Sequence, residues 1–145
     1  MNVIGLDRIV IATEELRTAS APFSDLLGLS FDGPFYPTTE TGHGAEPLEM
    51  LVSAAGIEII TPKSDDGQVA RFLATNGPGL YAMSIRVGDL DNAVSELAES
   101  GHDPVGEFES PSFRERFYHP DVFGGALLIL AEYDAPHGVA AALSD

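Results

Sequence analysis

The sequence predicts an α+β fold of two β-α-β-β-β modules, whose curved mixed sheets form a cup with the helices on the outer face. Three observations carry this expectation. A β-branched run followed by helically spaced apolar residues occurs twice, and a shift of 74 residues places Leu6 on Leu80, Leu16 on Leu90 and Ala19 on Ala93. Both helical stretches stop at a glycine, Gly28 and Gly101, the residue best able to take the left-handed conformation of a C-terminal cap. The strand-like runs alternate so that each has one apolar face and one mixed face.

Leu6 to Ala12 forms the opening strand, and Leu16, Ala19, Phe23, Leu26 and Leu27 follow at helical spacing. Pro22 interrupts this helix. Either the helix begins near Ser20 with Pro22 in its first turn, or it kinks at Pro22. Strands are expected at residues 30–35, 48–52 and 57–61, with residues 37–47, rich in Thr, Gly and Glu, as a loop. Residues 65–79 link the modules. Val69, Phe72 and Leu73 suggest a short helix there, ended by Asn76-Gly77-Pro78. Leu80 to Val87 opens the second module, Asp89 is a good N-cap for the helix carrying Leu90, Ala93, Val94 and Leu97, and strands are expected at 106–109, 114–118 and 126–132. The expected division is therefore one domain: module 1 over residues 1–64, linker 65–79, module 2 over 80–134 and a loosely held tail over 135–145.

Alternation assigns the faces. Ile9, Ile11, Ile57 and Ile59, and Met83, Ile85, Val87, Leu128 and Leu130, should pack on helices. Arg8, Val10, Glu58 and Ile60, and Ala82, Ser84, Arg86, Leu127 and Ile129, should share the opposite face. A face mixing charged and apolar residues suits a sheet curled around a small-molecule ligand.

Composition narrows the partners. The chain has 145 residues, enough for a real core, and no cysteine, which excludes disulfides, thiolate metal sites and cysteine nucleophiles. Its 23 acidic and 7 basic residues give a net charge of −16, which repels nucleic acid and anionic membrane. The acidic surface reads as solubilising, as salt adaptation or as attraction for a cationic partner. No apolar run approaches a membrane span. Residues 1–7 lack the pattern of a signal peptide, and the cytoplasm is the simplest location. No serine stands in a nucleophile-elbow pattern, and the glycine pairs are not spaced as a phosphate cradle.

At several of these segments the chain resembles the vicinal oxygen chelate superfamily, which includes glyoxalase I, methylmalonyl-CoA epimerase, extradiol dioxygenases and bleomycin-resistance proteins. Leu6-Asp7-Arg8-Ile9-Val10-Ile11-Ala12 resembles the family's first strand. Phe72-Leu73-Ala74-Thr75-Asn76-Gly77-Pro78-Gly79-Leu80 and Arg86-Val87-Gly88-Asp89-Leu90-Asp91 resemble the epimerase branch, and His119-Pro120 followed by Gly124-Gly125 resembles its late turn. The resemblance implies four pocket-facing metal ligands, commonly His, Glu or Gln, His and Glu. Here they fall on Arg8, Glu58, Ala82 and Ile129. Only Glu58 has a ligating atom, since a guanidinium cannot ligate, so no metal and no other cofactor is expected. A rebuilt site using His119 with Glu58 is conceivable, whereas His43, His102 and His137 read as surface residues.

Arg8 and Glu58 are therefore either an ion pair filling a vacated metal site or the reacting groups, Arg8 stabilising an enolate or carboxylate oxygen and Glu58 moving a proton. Ala82, Ser84, Arg86, Leu127 and Ile129 are the expected substrate-binding residues. Arg86 would meet an anionic group or a rim acid, and Ala82 and Ile129 would enlarge an apolar pocket. Phe113, Phe117 and Tyr118 line a mouth or pack the core. The expected function is a metal-independent isomerase or lyase acting next to a carbonyl in an apolar or acyl-CoA-like substrate. A non-catalytic antibiotic- or polyketide-binding protein and a methylmalonyl-CoA-type epimerase are the alternatives. The resemblance also implies a homodimer.

Overall fold

The computed structural model describes residues 1–42 and 44–145. The chain divides into two compact units, one formed by Arg8–Tyr81 and the other by Met1–Asp7 together with Ala82–Asp145.

In the Arg8–Tyr81 unit, β1 (Val3–Ala12) enters from its N-terminal half and leads into α1 (Leu16–Leu27), followed by β2 (Asp32–Phe35), β3 (Thr38–Thr41), β4 (Gly44–Ser53), β5 (Ile57–Pro62) and α2 (Gln68–Asn76). β1 lies parallel to β5, with Ile9 opposite Ile57 and Ile11 opposite Ile59. β5 is antiparallel to β4, which also pairs with β2 and β3. The helix face is the one that alternation predicts: Leu16, Leu51 and Ile59 are buried together, with Ile11, Ala19, Phe23 and Ile57 packed around them.

Helix α1 starts at Leu16 and runs through Pro22 rather than beginning near Ser20. Its N-cap is Glu15, whose carboxylate accepts the Arg17 and Thr18 backbone N–H groups. This fixes the start four residues earlier than proline alone would allow. Gly28 closes it in the left-handed conformation, φ 71°. Within the expected loop over 37–47, β3 instead pairs with the start of β4. Thr38, Thr39 and Thr41 are β-branched and pair with Pro47, Glu46 and Gly44, so this module has one strand more than the repeat predicts. His43, read as a loop residue, lies outside the described residues.

The other unit contains β6 (Gly79–Val87, from Ala82 onward), α3 (Leu90–Glu99), β7 (Gly106–Glu109), β8 (Arg114–Tyr118), a 3₁₀ turn (Pro120–Val122), β9 (Leu127–Glu132) and α4 (Gly138–Leu143). The sheet order is β6-β9-β8-β7, with β6 and β9 parallel and the other pairs antiparallel. Asp89 caps α3 by accepting the Asn92 N–H. Val87, Leu90, Ala93, Tyr118, Leu128 and Leu130 form its core, with Met83 and Ile85 against them. Tyr118 is thus core, as is Phe113, which packs with Ala131, Tyr133 and Ala141.

The tail is not loose. Residues 138–143 form α4, capped by His137, and Val139 and Ala141 are buried. A run of small residues carries little periodic signal, but alanine is the best intrinsic helix former. Among the described residues no helix is long and apolar enough to cross a membrane.

Candidate functional site

Parallel pairing places Val10 opposite Glu58, so Arg8, two residues earlier, lies on the same face as Glu58 and away from α1. The two side chains meet. Arg8 Nε donates to Glu58 Oε1 at 2.9 Å, and both residues are buried, with 6% and 8% of their surface exposed. A charge-assisted bond shielded from water is stronger than its surface counterpart, but desolvation opposes much of that gain. Val10 and Ile60 surround this face and are buried.

In the other unit, the face turned away from α3 carries the remaining expected residues. Register aligns Ser84 with Ile129 and Ile129 with Phe117, and aligns Arg86 with Ala131. Ala82, Ser84 and Ile129 are buried, Ser84 completely, and Leu127 is half-buried. Ser84 Oγ donates to Asp7 Oδ2 at 3.1 Å, and the Tyr133 phenol donates to Asp7 Oδ1 at 2.5 Å, as short as charge-assisted O–H···O bonds become. The Tyr133 ring lies between Phe113, stacked at 5.0 Å, and the Arg86 guanidinium, 3.8 Å from the ring centroid. Arg86 binds main chain, where an anionic substrate group or a rim acid was expected. One of its terminal nitrogens, Nη2, donates to the backbone carbonyls of Tyr133 and Ala135 at 2.8 and 2.9 Å, and its Nε is buried without a hydrogen-bond partner among the described residues.

Sequence reasoning missed Asp7 and Tyr133. Strict alternation puts Asp7 on the face opposite Arg8, and Tyr133 stands just beyond the last strand. The available signal was an acid beside Arg8 and a tyrosine following Glu132. The structure also contains a cavity of about 250 Å³ on the α1 side of the Arg8–Tyr81 unit, lined by Glu14, Arg17, Pro34, Glu49 and Thr61 among others. It involves none of the expected site residues.

The side chains do not fit the metal site that the resemblance implies. Arg8 presents a hydrogen-bond donor to Glu58 where a ligand lone pair is needed, and Ala82 and Ile129 offer no donor atom. Among the described residues, no three His, Asp or Glu side chains come together in a way that could hold an ion. His119 Nδ1 accepts the Asp121 N–H and starts the 3₁₀ turn, as His137 Nδ1 accepts the Ala140 N–H at α4.

Comparison with known proteins agrees with this architecture. The family model described as Glyoxalase/Bleomycin resistance protein/Dioxygenase superfamily matches residues 7–116. An ethylmalonyl-CoA/methylmalonyl-CoA epimerase of Cereibacter sphaeroides is 27% identical over 135 residues, covering 88% of this chain and 96% of that protein. The crystal structure of methylmalonyl-CoA epimerase from Mycobacterium tuberculosis is similar at 28% identity, with a TM-score of 0.72 and coverage of 92% of this chain and 90% of that one. A Streptomyces coelicolor methylmalonyl-CoA epimerase variant in complex with 2-nitronate-propionyl-CoA shares the fold at 22% identity and TM-score 0.73, covering 94% and 99%. The chain belongs to the Glyoxalase/Bleomycin resistance protein/Dioxygenase superfamily.

Proposed function

We propose that the protein is a metal-independent enzyme that moves a proton next to the carbonyl of an acyl-CoA-like substrate, as an isomerase or lyase. The observation that carries this reading is the buried Arg8–Glu58 pair at 2.9 Å, at two of the positions where the resemblance implies metal ligands. The relatives' names, which are epimerases of acyl-CoA thioesters, support the substrate class. The C–H bond next to the carbonyl breaks, its proton passes to Glu58, and the electron pair moves onto the carbonyl oxygen, whose charge faces the Arg8 guanidinium. Glu58 Oε1 is held by Arg8, so Oε2 is the oxygen that takes the proton. Arg8 supplies a permanent positive charge, fixed before reaction, where the developing oxyanion needs it. Return of the proton to the same or a neighbouring carbon completes an isomerisation, and loss of a leaving group instead completes an elimination.

The test is deuterium incorporation into methylmalonyl-CoA and a panel of acyl-CoA thioesters in D₂O, followed by mass spectrometry. Glu58→Gln is expected to slow exchange by about 10²–10⁴-fold, the usual contribution of a positioned general base, while thioester binding persists. Exchange that survives in Glu58→Gln would overturn the assignment, as would about one equivalent of transition metal in protein purified without chelators. A ligand bound tightly and recovered unaltered from the wild type would favour the binding-protein alternative.

A further inference from the structure

We propose that residues 135–145 form a displaceable strap over the face of the β6-β9-β8-β7 sheet that carries Arg86, and that a carboxylate on the ligand competes with the strap for this guanidinium. The inference rests on the proposed function together with the expectation from the sequence that Arg86 and its neighbours bind the substrate, and it adds how access to this face is controlled. Register places Arg86 opposite Ala131, and Ala131 is buried with Phe113, Tyr133 and Ala141, so the strap packs on the face turned away from α3. The stem of the strap uses Arg86 directly: Tyr133 and Ala135 accept from it through neutral backbone carbonyls. Its Nε remains buried without an acceptor among the described residues. A guanidinium fork with an unused donor, held by neutral acceptors, is better matched by a carboxylate, which forms two parallel charge-assisted bonds of roughly twice the strength.

The strap is attached in a way that allows exchange. Apart from the Arg86 contacts and the small buried side chains Val139 and Ala141, polar bonds from Ser110 and Ser112 hold its far end among the described residues. Ser112 Oγ donates to the Ala141 carbonyl at 2.6 Å. The Asp145 carboxylate accepts Ser110 Oγ at 2.6 Å and the Ser112 N–H at 3.0 Å. A strap that must open lowers the apparent affinity of its competitor by the fraction of molecules that are open. Weakening the Ser110–Ser112 latch should therefore strengthen ligand binding, the opposite of what removing a ligand contact does.

The experiment uses malonate as the probe, with calorimetry for affinity and hydrogen–deuterium exchange over residues 135–145. Saturating malonate should speed exchange in this segment of the wild-type protein. The Ser110→Ala/Ser112→Ala variant should bind malonate about tenfold more tightly, because two hydroxyl donors no longer hold the strap. Arg86→Gln should abolish binding in both backgrounds. If the double variant still protects the segment, the chain shortened after Asp134 replaces it under the same criteria, with folding checked by circular dichroism. Unchanged affinity in a protein whose strap is released, unchanged exchange at saturating malonate, or no binding by any form would overturn the strap. Because malonate binding needs no turnover, absence of deuterium exchange in thioesters would sink the proton-transfer reading alone.

Discussion

Tyr118 shows how a single atom reports on its surroundings. Its ring is buried in the α3 core, edge-on to Phe123, yet its hydroxyl is buried without a partner among the described residues. Burial pushes the phenol up from its ordinary pKa, with Arg116 opposing, so the charged form is disfavoured in the folded protein. An acid whose folded value is raised contributes stability below the unfolded value, near 10, and loses it as pH rises beyond that point. Tyr118→Phe should therefore be neutral or stabilising at pH 7, by up to about 1 kcal/mol, and should weaken the alkaline fall in stability. Urea denaturation at pH 7 and at pH 10.5 measures both, and a loss of more than about 1 kcal/mol at pH 7 would show a missed partner. At this scale alternation put Arg8 and Glu58 on one face, and the resemblance implied that these two positions lie close together; the parallel β1–β5 register brings them there. Asp7 and Tyr133 were not legible, because their hydrogen bond spans 126 residues and no local period encodes it.

At the scale of elements, helix starts distinguish what the sequence announces from what it conceals. Asp89 caps α3 from the adjacent position and was readable. Helix α2 has Gly67 at its N-cap, with no side chain to offer, and Glu46 supplies the cap from β4. Both Glu46 oxygens lie 3.1 Å from the Val69 nitrogen, and the carboxylate is buried where the positive end of the helix favours it. Gly67 is required by space rather than by its backbone angle: an added Cβ would fall 1.9 Å from Glu46 Oε2. Gly67→Ala should displace this carboxylate and destabilise the protein by about 1–3 kcal/mol, the range for losing a cap and leaving a buried donor unpaired. Thermal unfolding tests this against Gly79→Ala, where an added Cβ meets nothing within 4 Å. Equal effects of the two substitutions would count against the cap. Strand β3 and helix α4 escaped prediction for a related reason, since threonines and small residues read as loop until a pairing partner or packing surface is known.

For the molecule as a whole, the surplus of acidic charge opposes the compact state through self-repulsion. Seven basic residues cannot neutralise 23 acidic ones, and several are already engaged: Arg8 with Glu58, Arg114 with Asp91, Glu109 and Glu132, and Arg116 with Glu107 and Glu109. Salt screens both the exposed pairs and the repulsion among the surplus acids, and the surplus is larger. The melting temperature should therefore rise when sodium chloride goes from about 0.05 to about 1 M. Differential scanning fluorimetry provides the check, and a falling value would mean that the arginine network outweighs the repulsion. The duplicated pattern and both core faces were legible because they depend on periodicity, which needs no knowledge of distant partners.

The packing of Tyr133 has an optical consequence. The chain has four tyrosines and no tryptophan, so its ultraviolet emission comes from phenols alone. Excitation makes a phenol a far stronger acid, and Tyr133 already points its proton at the Asp7 carboxylate while stacked on Phe113. Proton transfer within the excited state should leave this residue dim and red-shifted while the bond to Asp7 is intact. A rearrangement that parts Tyr133 from Asp7 should then brighten it, which gives a label-free signal for following events on that face in a stopped-flow instrument.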